Sequence, residues 1–162
     1  MSRALKIWSV PTILLVSAGV AIGVFSGGSS RSASWDLRPG DSEFVRRGAE
    51  VYEQNCASCH GVDLKGQRDW QSGNADGTLK APPHDETGHT WHHDDELLFR
   101  LTKFGTVKAL DLKDFNSNMP AFEGTLNDAD IVAVLSWIKA QWPKEIQERH
   151  DMMNERKRSN NQ

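Results

Sequence analysis

Cys56, Cys59 and His60 are the residues of this chain best suited to do chemistry. They stand in Cys56-Ala57-Ser58-Cys59-His60, and these two cysteines are the only ones in 162 residues. Two thiols at that spacing can each add across a vinyl group of one haem, giving two thioethers. The adjacent His60 is then held under the iron as an axial ligand. Other uses of C-x-x-C fit less well. A cysteine-rich zinc site needs a second cysteine pair. A redox dithiol of the thioredoxin kind needs a βαβ pattern around it, and none is present. The motif points to one covalent haem c.

A six-coordinate iron needs a second axial residue. Of the four methionines, Met1 lies at the N-terminus and Met152 and Met153 lie in a charged tail. Met119 stands in Asn118-Met119-Pro120-Ala121-Phe122, where the proline restrains the backbone that would present the thioether. An ordinary loop methionine packed on a core is the alternative reading. His84, His89, His92, His93 and His150 are the rival ligands.

These residues need elements to hold them. After Pro39-Gly40, a first helix should begin near Asp41 or Ser42. It should run into Cys56, with Phe44, Gly48, Val51 and Tyr52 on one stripe. A second helix is expected over roughly 94–104, with Asp94, Asp95 and Glu96 in its first turn. Its stripe is Leu97, Leu98, Leu101 and Phe104, and Gly105 should stop it. A third begins at Thr125-x-x-Asp128, a capping-box-like start. It should bury Ile131, Val134, Leu135 and Ile138, with Trp137 beside them, until Pro143 interrupts it. No run of alternating strands is evident, so the fold class is all-α, three to four helices around one haem. Residues 144–155 could form a further polar helix, and Arg156 to Gln162 reads as disordered.

The chain is long enough for one domain plus extensions: 1–26 as an N-terminal signal anchor, 27–40 as a flexible linker, 41–142 as the haem domain, and 143–162 as a polar C-terminal extension. Ile7 to Phe25 carries no charge over 19 residues, close to the length of a bilayer-spanning helix. Arg3 and Lys6 precede it, which orients the remainder outward. The length favours a retained transmembrane helix over a cleaved signal peptide, whose apolar region is shorter. In either case the globular part is exported, so the expected place is the periplasmic side of a bacterial inner membrane. Residues 35–140 hold 18 acids against 11 bases. An acidic domain does not suit nucleic acid, but it suits docking on other proteins.

Together these residues resemble the class I cytochrome c family, over about residues 41–141. The order of haem motif, Met-Pro loop and C-terminal helix is that family's. Gly48 and Tyr52 match its small residue and aromatic at the crossing of first and last helices, and Trp137 matches the aromatic on the last helix, with Val134 one turn earlier. Pro82, in Ala81-Pro82-Pro83, looks like the proline whose carbonyl accepts a hydrogen bond from the ligand histidine, which would set its tautomer. His84 stands where the family usually has leucine.

The segment His84–His93 packs four histidines and two acids into ten residues. It reads either as a second metal site, for copper for instance, or a pH-sensitive contact, or as a haem-edge loop bonding propionates and backbone. The resemblance implies an electron carrier with redox-protein donor and acceptor, no small-molecule substrate and no enzymatic turnover, within a respiratory chain. The alternatives are a haem enzyme or a gas or redox sensor with a displaceable sixth ligand, or a haem subunit of a larger respiratory complex.

Overall fold

The computed structural model describes residues 35–113 and 115–161. The chain divides into two units, Met1–Arg31 and Ser32–Gln162. The expected anchor at 1–26 and residues 27–34 of the expected linker lie outside the described residues. Among the described residues no helix is long and apolar enough to cross a membrane. They also contain no named strand, only the isolated bridges Gly73–Leu79 and Glu123–Leu126.

Among its described residues the second unit holds five helices: α1 (Ser42–Asn55), α2 (Ala57–His60), α3 (Asp95–Leu110), α4 (Asp128–Ala140) and α5 (Lys144–Asn160), with a 3₁₀ turn at Thr90–His92. The start of α1 is fixed by Asp41, whose Oδ1 accepts from the amides of Glu43 and Phe44 at 3.1 and 3.2 Å. These are two of the orphan donors that every helix start leaves. Its buried residues are Gly48, Val51 and Tyr52, and they meet α4. A Cβ on Gly48 would stand 2.1 Å from the Ala133 carbonyl oxygen, so only glycine lets the two backbones approach this closely. One turn on, the Tyr52 and Trp137 rings lie 4.5 Å apart. Ion pairing of Arg47 with Asp130 closes the N-terminal side of the crossing.

The core follows from α4. Ile131, Val132, Val134, Leu135 and Ile138 are almost wholly buried, each stabilising the fold by about 1.5–3 kcal/mol relative to exposure. The cap of α4 is Asn127, not Thr125. Asn127 Oδ1 accepts from Asp130 N at 2.9 Å, while Thr125 closes the preceding turn through its amide to Phe122 O at 3.0 Å.

Gly105 stops the first helical stretch of α3 as expected: its φ is 76° and ψ 161°, and a second stretch runs beyond it to Leu110. That backbone is cheap for glycine. A further expectation about an element end is corrected. The tail is not disordered from Arg156, since α5 continues to Asn160. Lys157 Nζ reaches Asp94 Oδ1 at 2.7 Å and Glu96 Oε2 at 2.9 Å. Deeper in the same helix, His150 and Asn154 are buried. Asn154 Oδ1 accepts from Asp95 N at 2.9 Å, its Nδ2 donates to Asp95 Oδ1 at 3.0 Å, and Asp95 Oδ2 accepts from Leu37 N at 3.0 Å. A helix that is highly charged in sequence is thus held by a buried polar cluster whose members satisfy one another.

Candidate haem site

α1 delivers Cys56 to its C-terminus, and the single turn of α2 places Ala57–His60 directly after it. The amides of Cys59 and His60 both donate to Cys56 O, at 3.1 and 2.9 Å. The turn sets the two thiols and the imidazole on one short stretch of fixed backbone. Cys56 is half-buried and Cys59 exposed. Burial pushes the Cys56 thiol up to about 11, with the Cys59 thiol adding in the same sense.

His60 is buried and its Nδ1 lies 2.9 Å from Pro82 O. A carbonyl can only accept, so Nδ1 carries the proton and Nε2 keeps a lone pair. Burial lowers the His60 pKa, opposed by that same hydrogen bond. A neutral imidazole with a free Nε2 and a fixed ring is the form that ligates a metal. The wall around Pro82 is itself positioned. Leu64 O accepts from His84 N at 2.7 Å and Asp85 N at 3.3 Å, and His84 O accepts from Trp142 Nε1 at 2.8 Å.

These groups open on a cavity of about 680 Å³. Cys56, Cys59, His60, Pro82 and Met119 all line it, so one cavity gathers the five residues expected to bind haem. Leu97, Leu98, Leu101, Val134, Leu135 and Ile138 supply apolar walls from α3 and α4. A haem fits this lining: a large apolar ring between two helices, two thiols at one edge, and a neutral imidazole and a thioether facing the same space.

The histidines disperse. His84, His89 and His93 line the cavity, while His92 and His150 do not. The His84 ring stands edge-on to His60 with centroids 3.9 Å apart. Two imidazoles on opposite sides of one metal, each at the ordinary distance of ~2 Å, would hold their centroids well beyond that separation. His84 is therefore a neighbour of His60, not its axial counterpart. Its Nδ1 is buried and has no partner among the described residues. Burial holds His84 well below the usual histidine range, with His60 and His89 adding to it. His89 stacks on Trp70 at 5.3 Å and His92 on Trp91 at 3.7 Å. His150 Nε2 lies 2.9 Å from His93 O, inside the α5 cluster. Among the described residues, no group of three or more His, Cys, Asp or Glu is placed to hold a metal ion.

Sequence reading missed Leu64 and Trp142, which hold this wall from outside, and weighed His150 only as a rival ligand. Trp142 stands just before Pro143, but nothing in the sequence tells that it is buried or which carbonyl it meets.

A family model described as Cytochrome c matches residues 45–142. No solved structure matches the chain.

Proposed function

The chain belongs to the cytochrome c family, which carries covalent haem c and serves electron transfer, and from that premise we propose a monohaem carrier of the class I type. In this reading Cys56 and Cys59 hold the haem covalently, and His60 and Met119 are its axial residues. The observation that carries it is the single cavity into which His60, fixed by Pro82, and Met119 both face.

Bound haem supplies a one-electron iron couple. The protein's part is to keep that couple fast and reversible. Pro82 holds the His60 ring in one tautomer and orientation, so the ligand does not reorganise when charge changes. The leucines and branched residues of α3 and α4 exclude water, which together with a thioether ligand favours the reduced state. With His60 and Met119 both ligating, the iron would have no place for a substrate, which would distinguish a carrier from a haem enzyme or gas sensor. The acidic surface serves encounter with redox partners, setting on-rate more than affinity.

We also propose that Ile7–Phe25 anchors the haem domain at the periplasmic face of a bacterial inner membrane, within a respiratory chain. The support is the uncharged stretch behind Arg3 and Lys6. An intact N-terminus in the membrane fraction, by mass spectrometry, is the expected result. A soluble form beginning between Ala18 and Trp35 would contradict it.

The axial assignment is tested with carbon monoxide. Reduced holoprotein should leave the gas unbound, and Met119→Ala should bind it while keeping its covalent haem. Ready binding by the unaltered protein would transfer the reading to an enzyme or sensor.

A further inference from the structure

The segment that carries Met119 has little backbone support. Between Leu112, whose amide bonds Val107 O, and Phe122, whose amide bonds Thr102 O, no backbone–backbone hydrogen bond forms among the described residues. Met119 N donates to Ser117 Oγ at 3.2 Å, within the segment itself. Among the described residues, the side-chain hydrogen bond that ties the segment to the rest of the protein is that of Asn118, whose Nδ2 donates to Thr78 Oγ1 at 2.9 Å.

Thr78 is built for that contact. It is buried, and its Oγ1 also accepts from Asn74 Nδ2 at 2.9 Å and donates to Asp76 Oδ1 at 2.7 Å. A hydroxyl has one proton and two lone pairs, and here all three are used. Giving the proton to Asp76 turns the lone pairs toward the two amides. The Thr78 amide donates to the same carboxylate oxygen at 3.0 Å, which fixes the side chain relative to its backbone.

Thr78 sits near the tip of a small hairpin. The Gly73–Leu79 bridge and the bond from Asn74 N to Thr78 O, at 2.8 Å, close the tip. Gln67 N to Ala81 O, at 2.9 Å, closes the base. The next residue is Pro82, which accepts from His60. One continuous piece of chain thus touches the supports of both axial residues.

We propose that Thr78, acting through Asn118, is a positioning residue for Met119, and that residues 73–82 form one clamp setting both axial sides of the haem. This rests on Met119 being the sixth ligand. The clamp removes freedom from a loop that would otherwise leave the iron readily, so it acts on the ligation equilibrium rather than on haem attachment.

The test is displacement of Met119 from the oxidised holoprotein by imidazole, followed through the weak red absorption band of methionine-ligated ferric haem. Thr78→Val keeps shape and removes the hydroxyl. It should raise the apparent affinity for imidazole by about fivefold to tenfold, the worth of one net hydrogen bond. Thr78→Ser should restore the unaltered value. Asn118→Ala, at an exposed position, should match the valine variant, and the double variant should add little more, because the Thr78–Asn118 bond is lost in both. Displacement in Thr78→Val and Asn118→Ala within twofold of the unaltered protein overturns the clamp and leaves Met119 ligation standing. Absence of the red band from the unaltered protein overturns the Met119 assignment, and the clamp with it.

Discussion

At the residue scale, the chemistry depends on a few atoms whose states the fold decides. The bond from His60 Nδ1 to Pro82 O leaves Nε2 as the only ring nitrogen able to ligate. Burial favours the neutral imidazole of His60, and burial of Cys56 raises the pKa of its thiol. Haem attachment by two thioethers makes a direct prediction. Cys56→Ser or Cys59→Ser should each sharply lower haem that survives denaturing gel electrophoresis, and the double change should abolish it. Haem persisting on the denatured double variant would remove the basis of the site. At this scale the sequence was most readable. The spacing of Cys56, Cys59 and His60 and the Met-Pro pair required no knowledge of the fold. The place of His84 did require it, because which side of His60 a ring occupies depends on Leu64 and Trp142, distant in sequence and bonded to the His84 backbone.

At the scale of elements, the α1–α4 crossing shows geometry opposing propensity. Alanine is a better helix former than glycine by about 1 kcal/mol, so Gly48→Ala on an exposed helix would stabilise. Here the added methyl would stand 2.1 Å from a backbone oxygen and 2.7 Å from Trp137 Cβ. Neither neighbour is the end of a flexible side chain. The helices must separate, and overpacking of this kind costs about 1–3 kcal/mol. Denaturant unfolding of the holoprotein should therefore show net destabilisation, with unchanged axial ligation in its spectrum. A neutral or stabilising outcome would mean that the crossing is looser than described. The stripes of α1 and α4 were legible because period and burial agree; in α3 only Leu98 of the expected stripe is buried, beside Phe99 and Thr102. The ends were less so. Gly105 stops the first stretch of α3 as its type suggests, but the second stretch on to Leu110 had no signal of its own. The cap of α4 moved from Thr125 to Asn127 because either side chain could bond a helical amide. The full length of α5 was hidden because its partners, Asp94, Asp95 and Glu96, lie some sixty residues away.

At the scale of the whole molecule, α5 joins the charged tail to the haem domain through groups that titrate. Burial lowers the pKa of His150, and Lys139 lowers it further. Asp95, the His93 carbonyl and Asp151 act in the opposite sense. A histidine held below its ordinary 6.5 binds fewer protons folded than unfolded. Stability is then lost as pH falls below about 6.5. His150→Gln can still donate to His93 O but does not titrate. The fall in melting temperature on acidification should be shallower in this variant, measured by haem absorbance. Some slope should remain, because burial also lowers His89 and His93. Identical slopes in the two proteins would show that α5 does not sense pH through His150.

A single carrier role makes one demand of the complete molecule: one iron, exchanging one electron, with its coordination unchanged. Anaerobic titration of the purified holoprotein, with the absorption spectrum recorded at each potential, tests this most directly. The expected result is a single reversible one-electron transition between two six-coordinate low-spin forms, at a positive potential as a His60–Met119 pair in an apolar cavity favours. A high-spin form in either state, or a transition whose forward and return curves fail to coincide, would contradict it.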